Sequence, residues 1–146
     1  MLIGEVIRSA IVVKLKEKFP AITVYKEKIE QGLQFPHFFV LPLNTSRVKE
    51  LRDKGWIYYQ VNVRYRPTQD FNSKYGILEQ MGIDLLDALE LITVAGYPLR
   101  GYGMNYEIVD GVLQFFINFR MRVNKEQEII AKMETLENSA EIKEEI

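Results

Sequence analysis

The sequence predicts an α+β domain: a mixed or antiparallel sheet of about four to five strands packed by two helices, in the order α-β-β-β-α-β-β, with a C-terminal extension. Three observations carry this. Apolar residues recur at helical spacing near the N-terminus and again between residues 78 and 92. Residues 56 to 66 and 112 to 124 alternate apolar and polar side chains. The pair Asp110-Gly111 before the second of these runs marks a tight hairpin turn.

Taken in order, Leu2, Ile3, Val6, Ile7, Ala10, Ile11 and Leu15 form one stripe on a helix that Pro20 stops. "ITVYKEKI" alternates weakly and is dense in Lys and Glu, as suits an edge strand, and Gly32 sits in the turn that follows. "PHFFVLPL", residues 36 to 43, is apolar on both faces and reads as a strand covered on both sides, with Pro42 at its frayed or bulged end. Residues 44 to 55 admit a long hairpin loop or one helical turn, and carry four basic and two acidic side chains.

The strand from Trp56 to Arg66 places Ile57, Tyr59, Val61, Val63 and Tyr65 on one face and Tyr58, Gln60, Asn62, Arg64 and Arg66 on the other. Pro67 ends it. The second helix has the stripe Leu78, Met81, Leu85, Ala88, Leu89 and Ile92, with Asp84, Asp87 and Glu90 largely off it. "AGYPLRGYG" is a turn-rich stretch, residues 104 to 109 are a strand, and the returning strand from Val112 to Asn124 turns Leu113, Phe115, Ile117, Phe119, Met121 and Val123 inward. Gln114, Phe116, Asn118, Arg120 and Arg122 point the other way.

With 146 residues the chain is long enough for one core that buries roughly 68 to 70% of the unfolded surface. The formal charge of −1 is unevenly spread: residues 125 to 146 hold seven Glu and three Lys, leaving 1 to 124 mildly basic. That bias is too small to imply nucleic acid by itself. The two stretches are read as a domain, 1–124, and an acidic extension, 125–146, in which Ile129, Met133, Leu136 and Ala140 recur at helical spacing. The extension admits an amphipathic helix or a segment that orders only against a partner. There is no Cys, which excludes disulfides and thiolate chemistry. Glu5 and Arg8 interrupt the N-terminal apolar residues, and no stretch nears the roughly 20 apolar residues of a membrane span. A soluble, cytoplasmic protein is expected.

Catalytic signatures are lacking. The single His, His37, lies in an apolar strand and reads as a core or rim residue. "GYG" at 101 to 103 lacks the strand-to-helix context of a phosphate loop. Asp84 and Asp87 lie one turn apart, without further ligands nearby in sequence, and read as a solvated helix face. The expectation is a non-enzyme with no cofactor and no metal.

What stands out is a repeated polar row, Asn62-x-Arg64-x-Arg66 and Asn118-x-Arg120-x-Arg122. Water can cover such a face. Two features favour a subunit interface: eleven residues of strand span about 36 Å, beyond the usual 17 to 20 Å, and the row mixes Arg with Tyr58 and Phe116, types enriched at interfaces. A single-stranded nucleic-acid platform is the rival, with two ring positions and no RNP-type motif.

"LKEKFPAITVYKEKIEQGLQFPHFFVLP", "VRYRP", the second helix and "YEIVDGVLQFFINFRMRV" follow one another in an order that resembles the phage tail terminator family, over about residues 3 to 124. The shared elements are a first helix ending in Phe-Pro, the G-x-x-x-P-x-F-F-V stretch from Gly32 to Val40, and Asp-Gly-Val-Leu opening the last strand. The likeness is greatest to members from contractile tails, of phages or tailocins, in Gram-positive bacteria. The acidic extension is longer than the family pattern.

The resemblance implies a structural protein without enzyme activity or cofactor: a ring, typically of six copies, that caps the tail tube, stops its polymerisation and meets the sheath end and the head connector. Implied partners are further copies of the chain, the tube protein, the sheath protein and, in a phage, the head–tail connector, with DNA only passing through the lumen and no membrane. The implied location is the host cytoplasm during assembly and then the virion tail or a tail-like particle. A neck or head-completion protein of similar build is the alternative. On this reading Arg64, Arg66, Arg120 and Arg122, with Asn62, Asn118, Tyr58 and Phe116, lie at subunit or tube contacts, and Arg47, Lys49, Arg52 and Lys54 reach a neighbouring protein.

Overall fold

A computed structural model describes residues 3–27, 31–52, 54–70 and 74–124. The helix α1 is Ile3–Lys18, followed by β1 (Thr23–Tyr25), β2 (His37–Lys49), β3 (Lys54–Arg66), α2 (Tyr75–Ala88), β4 (Leu91–Val94), β5 (Tyr97–Arg100), β6 (Tyr102–Val109) and β7 (Val112–Asn124). Five strands form one sheet in the order β1-β2-β3-β7-β6, and β4 and β5 form a separate two-stranded sheet. Because β1 runs parallel to β2 while the other pairs are antiparallel, the main sheet is mixed, as expected.

Ile7, Ile11 and Leu15 recur every fourth residue, so they share one face of α1 and are wholly buried. Glu5 in its first turn and Lys16 and Lys18 in its last complement the helix dipole. On α2 the buried face is Leu78, Met81, Gly82, Leu85 and Ala88. Both helices lie on one side of the sheet, over Phe38, Val40, Val61, Val63, Leu113, Phe115, Ile117 and Phe119. The inward residues expected of β3 are all buried; those of β7 are too, except Met121, which is half-buried. At Gly4 a Cβ would come within 2.9 Å of the Tyr59 ring, so a glycine lets the start of α1 settle on the sheet.

Two stretches differ from expectation. Residues 44 to 55 form neither a long loop nor a helical turn. Instead β2 passes a register shift between Pro42 and Asn44, resumes pairing and runs on to Lys49 opposite Gly55, leaving a tight turn with Arg52 at φ 64°. Pro42 lacks a ladder donor, and the bulge absorbs that defect without ending the strand. From Pro42 to Lys49 every residue of β2 is exposed, while β3 beside it stays paired with β7 as far as Lys54 and keeps Gly55, Ile57 and Tyr59 buried, so this half of β2 and the turn to Lys54, the arm, form an exposed sheet edge.

The second difference lies at 91 to 100, where the end of the helical stripe and the turn-rich stretch fold into the β4–β5 hairpin. Its turn, Ala95 and Gly96 at φ 51° and 83°, is of the doubly left-handed kind that suits tight hairpins. Ile92 is wholly buried as the stripe implied, but from a strand. The Asp110-Gly111 turn, at φ 52° and 76°, is as expected. β1 is short, three residues at the sheet edge. The expected helical pattern in 125–146 lies outside the described residues.

Candidate interaction face

The sheet face turned away from the helices carries both polar rows, and the strand register decides how they meet. On β3 and β7, Trp56 lies opposite Arg122, Tyr58 opposite Arg120, Gln60 opposite Asn118, Asn62 opposite Phe116 and Arg64 opposite Gln114. The strands are antiparallel, so the two Asn-x-Arg-x-Arg rows do not stack into one arginine cluster. They place Arg64 and Arg66 at one end of the face and Arg120 and Arg122 at the other, about 20 to 34 Å away by strand rise. Identical motifs thus form two different corners.

At the first corner Asn62 is almost wholly buried, with 1% of its surface exposed. Its Nδ2 donates to the Phe115 carbonyl at 3.2 Å and its Oδ1 accepts from Arg64 Nε at 2.9 Å, so Arg64 is held in place by its own strand. Arg66 lies over the Phe35 ring at 5.1 Å and donates from Nη2 to the Gln69 carbonyl at 2.9 Å. Beside it His37 is wholly buried, with Tyr25, Phe35 and Phe39 rings 4.7 to 5.5 Å from its own. Its Nδ1 lies 2.9 Å from the Gln34 carbonyl, which can only accept, so the proton is on Nδ1 and Nε2 keeps its lone pair without a partner. Burial lowers the imidazole pKa below its usual value, and the Arg66 charge adds to this against the opposing effect of the carbonyl hydrogen bond. His37 is therefore a neutral residue buried among the rings of the first corner.

The second corner is built around Trp56, the only tryptophan in the chain. The Arg120 and Arg122 guanidinium carbons lie 5.2 and 5.1 Å from its ring centroid, and Arg120 is also 5.8 Å from that of Tyr102. Arg122 pairs with Glu50 at 2.8 Å, an ion pair left 44% and 39% exposed, so solvent screens most of its worth to stability. Arg120 has stacking partners but no carboxylate among the described residues. Between the corners Asn118 donates to the Tyr102 and Gly103 carbonyls at 3.3 and 3.4 Å, bracing the irregular start of β6, while Tyr58 and Phe116 are half-buried.

The four cations expected to reach a neighbour are exposed on the arm. Register splits them: Arg47 and Lys49 pair with Ile57 and Gly55 and so share the helix-side face, Lys54 begins the outer row, and Arg52 sits in the turn. Sequence reading passed over Trp56, Glu50 and Tyr102. Trp56 was legible from the alternation that placed Tyr58, whereas Glu50 and Tyr102 reach the corner only through pairing between strands. Among the described residues no group of His, Asp and Glu could hold a metal, and no helix is long and apolar enough to cross a membrane.

A family model described as "Phage tail terminator protein" matches residues 6–131, most of the chain. The chain belongs to the phage tail terminator family. Terminators are structural components of the tail, and the chain is accordingly a phage tail structural protein. No curated protein matches it. A solved structure is similar at 18% identity over 82% of this chain and 94% of its own, with a TM-score of 0.43. The terminator match includes every residue of both corners and of the arm.

Proposed function

We propose that this terminator assembles into a ring of six that caps the tail tube, stops its growth and presents a second surface to the sheath end and the head connector. Family membership supports the capping role, and the sheet geometry supports the ring. The observation that carries it is the outer face: strands of thirteen residues present ordered Arg and aromatic side chains to solvent and end in a bare arm. Arg120, stacked on two rings and without a carboxylate partner among the described residues, offers one half of a charge-assisted contact, and in a ring one such contact recurs in every subunit. A cap must also refuse a further ring of tube protein, which calls for matched contacts below and mismatched ones above. The particle is then an infectious phage tail or a tail-like bacteriocin of the contractile kind.

The test is the double substitution Arg120→Glu and Arg122→Glu. Both side chains are exposed, so the monomer keeps its circular dichroism and thermal midpoint while annular particles, with or without tube protein, disappear from negative-stain micrographs. Assembly equal to that of the wild type would overturn the placement of these residues at an interface. A ring that binds connector but not tube would instead identify a neck protein. Oligonucleotide binding with a steep salt dependence would favour the nucleic-acid platform.

A further inference from the structure

The main sheet runs β1-β2-β3-β7-β6, and β1 covers β2 only at His37, Phe38 and Phe39. Among the described residues no strand lies beyond Asn44–Lys49 of the arm at one side or beyond Asn105–Val109 of β6 at the other. The two open runs are alike in length, six and five residues. They are also bounded alike. The run on the arm lies between the register shift at Pro42/Asn44 and the turn at Arg52, and the run on β6 lies between the shift at Tyr102/Asn105 and the Asp110-Gly111 turn. Proline and bulges guard sheet edges against stray pairing, and neither occurs inside these two runs. Their outward N–H and C=O groups are a template for one more strand.

We propose that copies of this chain join edge to edge, the arm of one subunit pairing with β6 of the next so that the main sheet continues across the seam. Strand direction fits this. β3 opposes β2, β7 opposes β3 and β6 opposes β7, so β6 runs against β2. Turning one copy onto the next about an axis broadly along the strands preserves direction, so the arm meets the neighbouring β6 antiparallel and all helices stay on one side. Height along the strands fits as well. Traced through Gln114 and Arg64, Glu107 is level with Phe39, six to seven ladder positions from the middle of the arm, or about 22 Å. Five strands are about 24 Å wide, so a closed sheet absorbs this offset with strands tilted by about 43°, within the tilt usual for closed sheets. Tyr102, on which Arg120 stacks, opens β6, so the seam begins beside the second corner. The pairing deepens the ring reading and rests on it for closure of the sheet.

The chain has no Cys, so introduced thiols report the seam without background. Ser46→Cys and Val48→Cys on the arm, and Glu107→Cys and Val109→Cys on β6, are made as four full-length single variants. All four side chains are exposed on the outer face, and a continuous sheet sets outer positions against outer positions. Each arm variant is mixed with each β6 variant, with and without tube protein, and oxidised. Disulfides need Cα atoms about 4.4–6.8 Å apart, so linked dimers are expected in at least one mixture, with the arm–β6 peptide identified by mass. Each variant alone stays unlinked, and a chain carrying both thiols gives a ladder of linked copies. Absence of arm–β6 linkage in all four mixtures would overturn the proposal. So would arm-to-arm linkage as the main product, which would assign the arm to a two-fold pair. Rings in micrographs without arm–β6 linkage would leave the ring reading standing and remove the seam, whereas linked open chains without rings would do the reverse.

Discussion

Asn62 is the polar residue on which the outer face turns. Its amide satisfies the Phe115 carbonyl and fixes Arg64 from a site with almost no solvent, so Asn62→Ala leaves a buried acceptor short of a donor and frees the guanidinium. The expected cost is about 1–3 kcal/mol, read as a lower urea midpoint with an unchanged slope. His37 gives a pH signature. The folded state holds it below its ordinary pKa, so the unfolded chain takes up its proton first. Stability is full above about pH 6.5 and falls as the pH drops from there through the folded-state pKa. With a single His in the chain, His37→Gln should flatten this part of the curve, leaving only the carboxylates at lower pH. A wild-type profile level between pH 7 and 5 would contradict the buried neutral ring.

Close approach between elements is what glycines permit here. Gly101, buried between β5 and β6, has no room for a Cβ: the Ile117 Cγ1 would lie at 2.9 Å and the Leu89 carbonyl oxygen at 3.1 Å. Ile117 can shift but the backbone at the end of α2 cannot, so Gly101→Ala is expected to cost about 1–3 kcal/mol in thermal or chemical unfolding. An effect near zero would mean that β5, β6 and the end of α2 do not meet as described. The arm is the opposite case, since its β2 strand is exposed from Pro42 onward. Trypsin should cut first at Arg47, Lys49, Arg52 or Lys54 in the isolated subunit and be blocked there in assembled particles, with fragment masses as the readout. Cleavage at equal rates in both would remove the arm from the contact.

For the whole molecule the two sheet faces divide the work. The helix side holds the apolar core, and the outer side, with its two corners, carries the polar groups that the proposed ring assigns to another polypeptide. This asymmetry predicts that Arg120→Glu with Arg122→Glu lowers assembly far more than stability, whereas Asn62→Ala lowers both. Microscopy and unfolding measured on the same preparations separate the two. Family membership gives the chain its structural role in the tail, and the proposed ring gives the outer face a part in it.

Much of this was legible in the sequence for simple physical reasons. Periods of 3.6 and 2 report which side of a helix or strand meets the core, so α1, α2, the inward residues of β3 and most of those of β7 could be read directly. Asp110-Gly111 announced its turn because few residue pairs accept two left-handed conformations in succession. The passage of β2 through Pro42 was not legible, since whether a strand survives a missing donor depends on the partner that pairs beyond it. Nor was the β4–β5 hairpin, where Ile92 continues a helical stripe by coincidence of spacing. Alternation along each strand was enough to put the two identical polar rows on the face away from the core. That an antiparallel register drives them to opposite ends, one tied down by Asn62 and the other stacked on Trp56, emerged from the folded chain alone, because pairing across strands is set by distant residues that no local pattern records.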